Sequence, residues 1–166
     1  MTRHFARSPK GSRAYGDRPD GRGKNVTMIG AMSMDGIIAA ITFQGGTDTN
    51  AFYTYVTQVL VPKLWSGACV VMDNFSSHKV TGIRQAIESV GARLVYLSPY
   101  SSDFSPIENC WSKVKECLRR RSPPQASLAA RTYEELDCAI TNALLTVTNK
   151  DIIGWFTHCC YYIAPN

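Results

Sequence analysis

No stretch of this 166-residue chain runs eighteen apolar residues without a break, which argues against a membrane-spanning helix. The opening residues, MTRHFARSPK, carry basic side chains with no apolar segment behind them, so no secretory signal is expected and a cytoplasmic location is the default. Six cysteines are present, yet none forms a C-x-x-C pair, and Cys159 and Cys160 are adjacent. That spacing suits neither a zinc site nor a disulfide framework, and the cysteines read as small buried hydrophobes. The chain also lacks an internal repeat and any composition shift that would require a second folded domain.

Net charge is nearly absent from most of the chain. Residues 1–24 hold seven basic residues against two acidic ones, while the remaining eleven basic and eleven acidic residues cancel. The whole excess of +5 therefore sits in a Gly/Pro/Ser-rich arm, residues 1–25, which buries little and suits a polyanion partner through counterion release. Arg3, Arg7, Lys10 and Arg13 are its candidate DNA contacts. A second cluster, KVKECLRRR from Lys113 to Arg121, offers Lys115, Arg119 and Arg120. The same cluster also reads as a solvated helix face with cations near its C-terminal end.

Along the chain, NVTMIGAMSM and IIAAITF are β-type runs joined by Asp35-Gly36, a pair suited to a type I′ hairpin turn. TDTN caps a helix expected over 48–61, with Phe52, Tyr55, Val56, Val59 and Leu60 on one face and Pro62 as its stop. ACVVMD, an apolar run without alternation, reads as a strand covered on both faces, followed by the turn NFSSHK. Ile83, Ala86, Ile87 and Val90 mark the next helix, closed by Gly91 at its C-terminal end. ARLVYLSP is a strand. Ile107, Trp111, Val114 and Leu118 stripe a further helix, broken at RRRSPPQAS. Two short helices finish the chain, one opening at the capping box Thr132 to Glu135, the other capped by Asn149. The alternation predicts an α/β layer with parallel strands and an antiparallel hairpin at one side.

Ligands gather at the carboxyl ends of strands in such sheets. Asp73 ends ACVVMD and Glu108 opens a helix soon after the following strand, so both carboxylates can project over one sheet edge. Each also has a purely structural account. Asp73 can start an Asx turn, and SPIE is a capping box with Ser105 at N-cap, Pro106 at N1 and Glu108 at N3. His78, with Lys79 beside it, reads as a surface turn histidine that could touch DNA or support Asp73.

VVMDNFSSHK, followed with 34 residues between the acids by SPYSSDFSPIENCWSKVK, resembles the catalytic domain of DDE transposases, in particular bacterial insertion-sequence relatives of the mariner group. The resemblance extends over nearly the whole chain, including ARTYEEL and WFTHCCYY, with Ser102 standing where the family has proline. It implies a ribonuclease-H-like mixed sheet with flanking helices over residues 26–166. It also implies that Asp73 and Glu108 are the second and third members of an acidic triad holding two Mg²⁺ or Mn²⁺ ions. Cutting and rejoining DNA is phosphoryl transfer, which calls for carboxylates from separate elements around such ions.

The family's first catalytic Asp lies on a strand upstream of the sequence resembling MTRHFARSPKGSRAYGD, and the family's helix-turn-helix region lies further upstream still. The expectation is therefore a C-terminal transposase piece, inactive alone for want of the first Asp. Its sheet would lack its first, central strand, leaving a gap between the strand near residues 26–32 and that at 68–73. Three functions follow: a catalytic-domain fragment, either a decayed remnant or one half of a product completed by an upstream fragment; a catalytically dead DNA-binding module; and a protein that pairs with an intact transposase and modulates it.

Overall fold

The computed structural model describes residues 8–13, 25–121 and 132–161. From Asn25 the chain forms a hairpin, a helix, a strand, a helix, a strand and then three helices, which is the expected alternation. Strands β1 (Val26–Ser33) and β2 (Gly36–Gln44) pair antiparallel, Val26 opposite Gln44 and Ser33 opposite Gly36. The loop residues are Met34 and Asp35, one position ahead of the expected pair. Neither has positive φ, whereas Gly36 has φ +145°, so the freedom of glycine is spent opening β2 rather than inside a type I′ loop.

Side chains of β1 alternate between two cores, as the two-residue period of a strand requires. Ile29 and Ala31 join Phe52, Tyr55, Leu60, Ile83 and Ile87, while Val26, Met28 and Met32 join Cys110, Val114 and Ile140. The register slips between Ala31 and Met32, leaving Ile38 as the extra residue of a bulge. Ile38 and Ala39 consequently both reach the first core, and Ile37 reaches the second.

Helix α1 (Thr49–Tyr55) starts at Asp48, whose side chain accepts the Ala51 N–H at 2.7 Å. The helical run then widens into a π turn over Val56–Leu60 and tightens into a 3₁₀ turn over Val61–Lys63 that contains Pro62. The expected single helix is thus three helical forms in series, the proline sitting in the last. Strands β3 (Cys69–Met72) and β4 (Arg93–Tyr96) pair parallel and in register, with α2 (Thr81–Glu88) between them in sequence. Gly91, at φ +77°, turns the chain from α2 into β4.

Val70, Met72, Leu94 and Tyr96 pack on the first core, but Val71 and Val95, opposite each other, remain 38% exposed. The expectation of a strand covered on both faces is corrected here. One face of β3–β4 packs on the first core, and the other faces open space. The two pairs do not join, since β1 and β2 form one two-stranded sheet and β3 and β4 another.

Helices α3 (Pro106–Arg121), α4 (Tyr133–Leu144) and α5 (Asn149–His158) build the second core on the far face of the hairpin. The Thr42 hydroxyl bonds to Asp137, and the Tyr133 hydroxyl donates to the Thr42 carbonyl at 2.9 Å, tying α4 to β2. Lys113 donates to Asp151 at 2.5 Å, tying α3 to α5. The capping box at Thr132–Glu135 forms as expected, but α5 is capped by Thr148, one residue before Asn149, with Asp151 closing its box.

The cysteines divide. Cys110 and Cys159 are buried, whereas Cys69, Cys138 and Cys160 are exposed. Cys69, for instance, lies on the open face of β3, where no core reaches it. Among the described residues no helix is long and apolar enough to cross a membrane.

At Gly30 the hairpin and α3 meet closely, since a Cβ there would stand 2.7 Å from the Trp111 ring. Gly30→Ala should lower the melting temperature by about 3–10 °C, the overpacking cost spread over a domain of this size. Gly46→Ala, with open space around it, should leave it within about 2 °C. Thermal melts followed by circular dichroism compare the two, and equal shifts would refute the contact.

Asp151 ties the helices in a pH-dependent way. Its carboxyl is held down at about 2, against an ordinary 3.8, first by the Lys113 hydrogen bond and then by the Thr148 hydroxyl and backbone. A lowered pKa gives stability that is complete above about pH 4 and is lost as pH falls toward 2. The melting temperature of Asp151→Ala should therefore lie below that of the parent at pH 6, and the two should converge near pH 2. A constant difference across that range would show that the carboxylate charge is not what binds α5.

Candidate active site

Asp73 follows the carboxyl end of β3, and Glu108 lies in the first turn of α3. Both line one cavity of about 610 Å³ that opens between β1 and β3. Its lining is mostly apolar and includes, besides the two acids, Ser33, Thr47, Ser105 and His78.

Asp73 is oriented by its own loop. Its Oδ1 accepts the Phe75 N–H at 3.2 Å, so the Asx turn foreseen as a structural account is real. The same oxygen stands 2.5 Å from His78 Nδ1, at ion-pair distance but off the line of a hydrogen bond. His78 is not the surface residue expected from its turn. Its ring stacks on Phe52 with centroids 3.9 Å apart and meets the edge of Phe75 at 5.9 Å. The His78 carbonyl accepts the Tyr96 hydroxyl at 2.5 Å, and Arg84 lies over the Tyr96 ring at 5.6 Å. The histidine is held by two strands and a helix and in turn holds the acid, leaving the Asp73 side chain 56% exposed toward solvent.

Glu108 is the less constrained of the pair. Its N–H donates to the Ser105 carbonyl at 3.1 Å, but the expected capping box does not close. Among the described residues the Glu108 carboxylate has no hydrogen-bond or ion-pair partner. The Ser105 N–H, which the carboxylate would need, is already donated to the Ser102 carbonyl at 2.9 Å. A 3₁₀ turn over Ser102–Phe104 makes that bond. Serine at position 102 thus sits in a turn that frees the acid.

Two carboxylates over one cavity are the right donor type for a hard cation, which Mg²⁺ and Mn²⁺ are. Among the described residues no third His, Cys, Asp or Glu joins them to complete a metal-binding group. The donor chemistry fits a divalent ion in kind.

The basic candidates separate. Arg3 and Arg7 lie outside the described residues, while Lys10 and Arg13 are exposed on a short turn over residues 8–13. Lys79 is exposed beside His78. On α3, Lys113 is taken by Asp151, and Arg120 pairs with Glu116 at 2.7 Å. Lys115 and Arg119 are exposed and, among the described residues, have no partner. They follow Glu108 by seven and eleven positions, close to two and three helical turns, so all three share one face of α3. Along the axis they lie about 10 and 17 Å from the acid.

Phe75 and Phe104 were not foreseen. They line the mouth of the cavity and are 59% and 50% exposed. The only sequence signal for either was an aromatic residue inside a polar turn, in NFSSHK and in SSDFSP.

A family model described as DDE superfamily endonuclease matches residues 1–128. Among solved structures the chain is similar to one described as the crystal structure of the Mos1 strand transfer complex, at 14% sequence identity and a TM-score of 0.68. That likeness covers 96% of this chain and 46% of the other, so the chain spans less than half the length of that relative. No curated protein matches the chain.

Proposed function

The chain belongs to the DDE superfamily endonucleases, and from that premise we propose that residues 26–166 are part of a ribonuclease-H-like transposase catalytic domain acting on DNA, with residues 1–25 as a basic arm. One observation carries the reading. Asp73 and Glu108 come from different elements, line one cavity, and Glu108 is not spent on its helix cap. The relative of similar fold was solved as a strand transfer complex, which accords with DNA as the partner.

In this reading Asp73 and Glu108 hold Mg²⁺ or Mn²⁺, which when bound stabilises charge on a phosphodiester under attack. The protein's own work is positional. His78 and the Phe75 N–H fix the rotamer of Asp73, so that its exposed side faces the cavity. Lys115 and Arg119, in line with Glu108, track the phosphates of a strand leading away from the site. Lys79, exposed next to His78, supplies charge near Asp73, and Lys10 and Arg13 add contacts from the arm. In this reading no third ligand stands with the two acids among the described residues, so the 166-residue chain alone is a metal-binding, DNA-binding partner rather than a complete nuclease. It would be completed by a further transposase segment or another copy.

Titration of the purified chain with Mn²⁺, followed by electron paramagnetic resonance, tests the site. Weak binding is expected, weakened at least about tenfold further by Asp73→Asn or Glu108→Gln, because losing a direct ligand costs more than losing an outer-shell one. No DNA nicking is expected from the chain alone. Binding indifferent to both substitutions would refute the assignment. Metal-dependent cleavage abolished by Asp73→Asn would show that the ligand set is complete.

The helix stripe makes a separate demand. Lys115→Gln with Arg119→Gln should reduce the slope of log affinity against log salt by about two on duplex DNA, whatever its sequence. Arg120→Gln, whose charge is already engaged by Glu116, should change it by less. Filter binding or fluorescence anisotropy at several salt concentrations measures this, and an unchanged slope in the double variant would move the DNA contacts off α3.

A further inference from the structure

Two ties run from the end of β4 to the segment that carries Asp73. The Leu97 N–H donates to the Met72 carbonyl at 2.8 Å, which carries the β3–β4 pairing up to the residue before the acid. Its neighbour Tyr96 reaches beyond the strand and donates its hydroxyl to the His78 carbonyl at 2.5 Å. The loop's other hydrogen bonds among the described residues are local, such as the Phe75 N–H to Asp73 Oδ1 and the His78 N–H to the Phe75 carbonyl. Past Met72, then, the Tyr96 hydroxyl is what bonds residues 73–79 to the sheet.

The Tyr96 ring is itself held. It lies opposite Met72 in the parallel register and packs on the first core. Arg84 stands over the ring at 5.6 Å while bonding to Glu88 at 3.0 Å and to the Leu94 carbonyl at 3.4 Å. Burial raises the phenol above its ordinary 10 against the opposing pull of Arg84, so the hydroxyl keeps the proton it donates. On the other side of that bond the geometry converges on one oxygen. The His78 ring, stacked on Phe52, brings Nδ1 to 2.5 Å from Asp73 Oδ1, the same atom that accepts the Phe75 N–H. Both restraints fall on Oδ1, and among the described residues Oδ2 has no partner.

We propose that Tyr96 is a positioning residue for Asp73: its hydroxyl, acting through His78, sets which carboxylate oxygen is restrained and leaves Oδ2 as the one offered to the cavity. Without that bond the 3₁₀ turn Ser76–Lys79 is released from β4, and the histidine ring can move off Oδ1. Only the Phe75 N–H would then restrain the acid. A ligand that must regain its orientation on binding holds a cation less tightly, which is why the outer partners of ligating groups matter. The effect on a cation rests on the reading of Asp73 as a ligand, whereas the effect on the His78 ring does not. In the sequence Tyr96 is visible only as the aromatic residue of the apolar run LVYL.

Tyr96→Phe tests this, since it keeps the ring under Arg84 and removes only the hydroxyl. Its control is Tyr133→Phe, which loses the same kind of bond, from a phenol to the Thr42 carbonyl, beside the second core. Each should lower the melting temperature of the 166-residue chain by no more than about 4 °C. In Mn²⁺ titrations Tyr96→Phe should weaken binding about three- to tenfold, less than loss of the acid itself, and Tyr133→Phe less than about twofold. In ¹H–¹³C spectra the His78 ring protons, identified by their absence in His78→Gln, carry the ring-current shift of Phe52. Tyr96→Phe should move them toward the position of free histidine, and Tyr133→Phe should not. If Asp73→Asn weakens Mn²⁺ binding and Tyr96→Phe does not, the proposal is overturned while the metal reading stands. Equal losses in both tyrosine variants would also overturn it, since general loosening would then be the cause. If Asp73→Asn leaves Mn²⁺ binding unchanged, the metal reading is what fails, and the His78 signals decide: moved by Tyr96→Phe alone they uphold the positioning role, and unmoved they end it.

Discussion

Both cores of this molecule are built on one hairpin, and nearly everything else follows from that. Ile29 and Ala31 of β1 with Ile38 and Ala39 of β2 share a core with α1 and α2, while Val26, Met28 and Met32 of β1 with Ile37 of β2 share one with α3, α4 and α5. A two-stranded hairpin by itself is marginal in water, and burial on both faces is what makes this one a keystone. The same arrangement fixes the cost. With both faces of β1 covered and β2 on one edge, the remaining edge has only the cleft to look into.

The two acids inherit this division. Asp73 belongs to the first core through Val70 and Met72 of β3 and through the stacking of His78 on Phe52. Glu108 belongs to the second through Cys110 and Val114 of α3. Burial pushes the Cys110 thiol up to about 11, a sign of how dry that core is just two residues beyond Glu108. The separation of the carboxylates is therefore a property of how the two cores are held together along β1, and the close approach of Gly30 to Trp111 is one of the contacts that sets it.

Element order and type were legible because hydrophobic period and capping chemistry are local. Helix faces at Phe52 and Tyr55, at Ile83 and Ile87, and at Val114 and Leu118 are buried as their spacing demands. What misled was a residue read by its local type alone. Asp35-Gly36 looked like a loop pair, but the bulge at Ile38 shifts the hairpin so that Gly36 opens the strand. His78 looked like a surface histidine because its neighbours in sequence are polar, while its neighbours in space are Phe52 and Phe75, 26 positions back and 3 positions back along the chain. ACVVMD looked doubly covered because it lacks alternation, and that composition is sensible for a strand whose edge and open face border an apolar cleft. The pairing of Asp73 with Glu108 over one cavity was legible only as a consequence of topology, since neither acid is distinguished by its immediate neighbours.

The capping pattern supplies the sharpest contrast. Three helices begin with a hydroxyl residue followed three positions later by an acid: Ser105 and Glu108, Thr132 and Glu135, Thr148 and Asp151. The second and third close their boxes in both directions, with ψ of 162° and 160° at the threonines. Ser105 has ψ 99°, and its N–H is already committed to the turn before it. A capping box needs that N–H free, so the same four-residue code gives a cap twice and a loose carboxylate once. The positive end of the helix dipole favours an acid at this position without fixing its direction. An exposed carboxylate that is withheld from its own helix and lines the same cavity as a second one is available to a cation, and the 3₁₀ turn at Ser102–Phe104 is the local device that keeps it so.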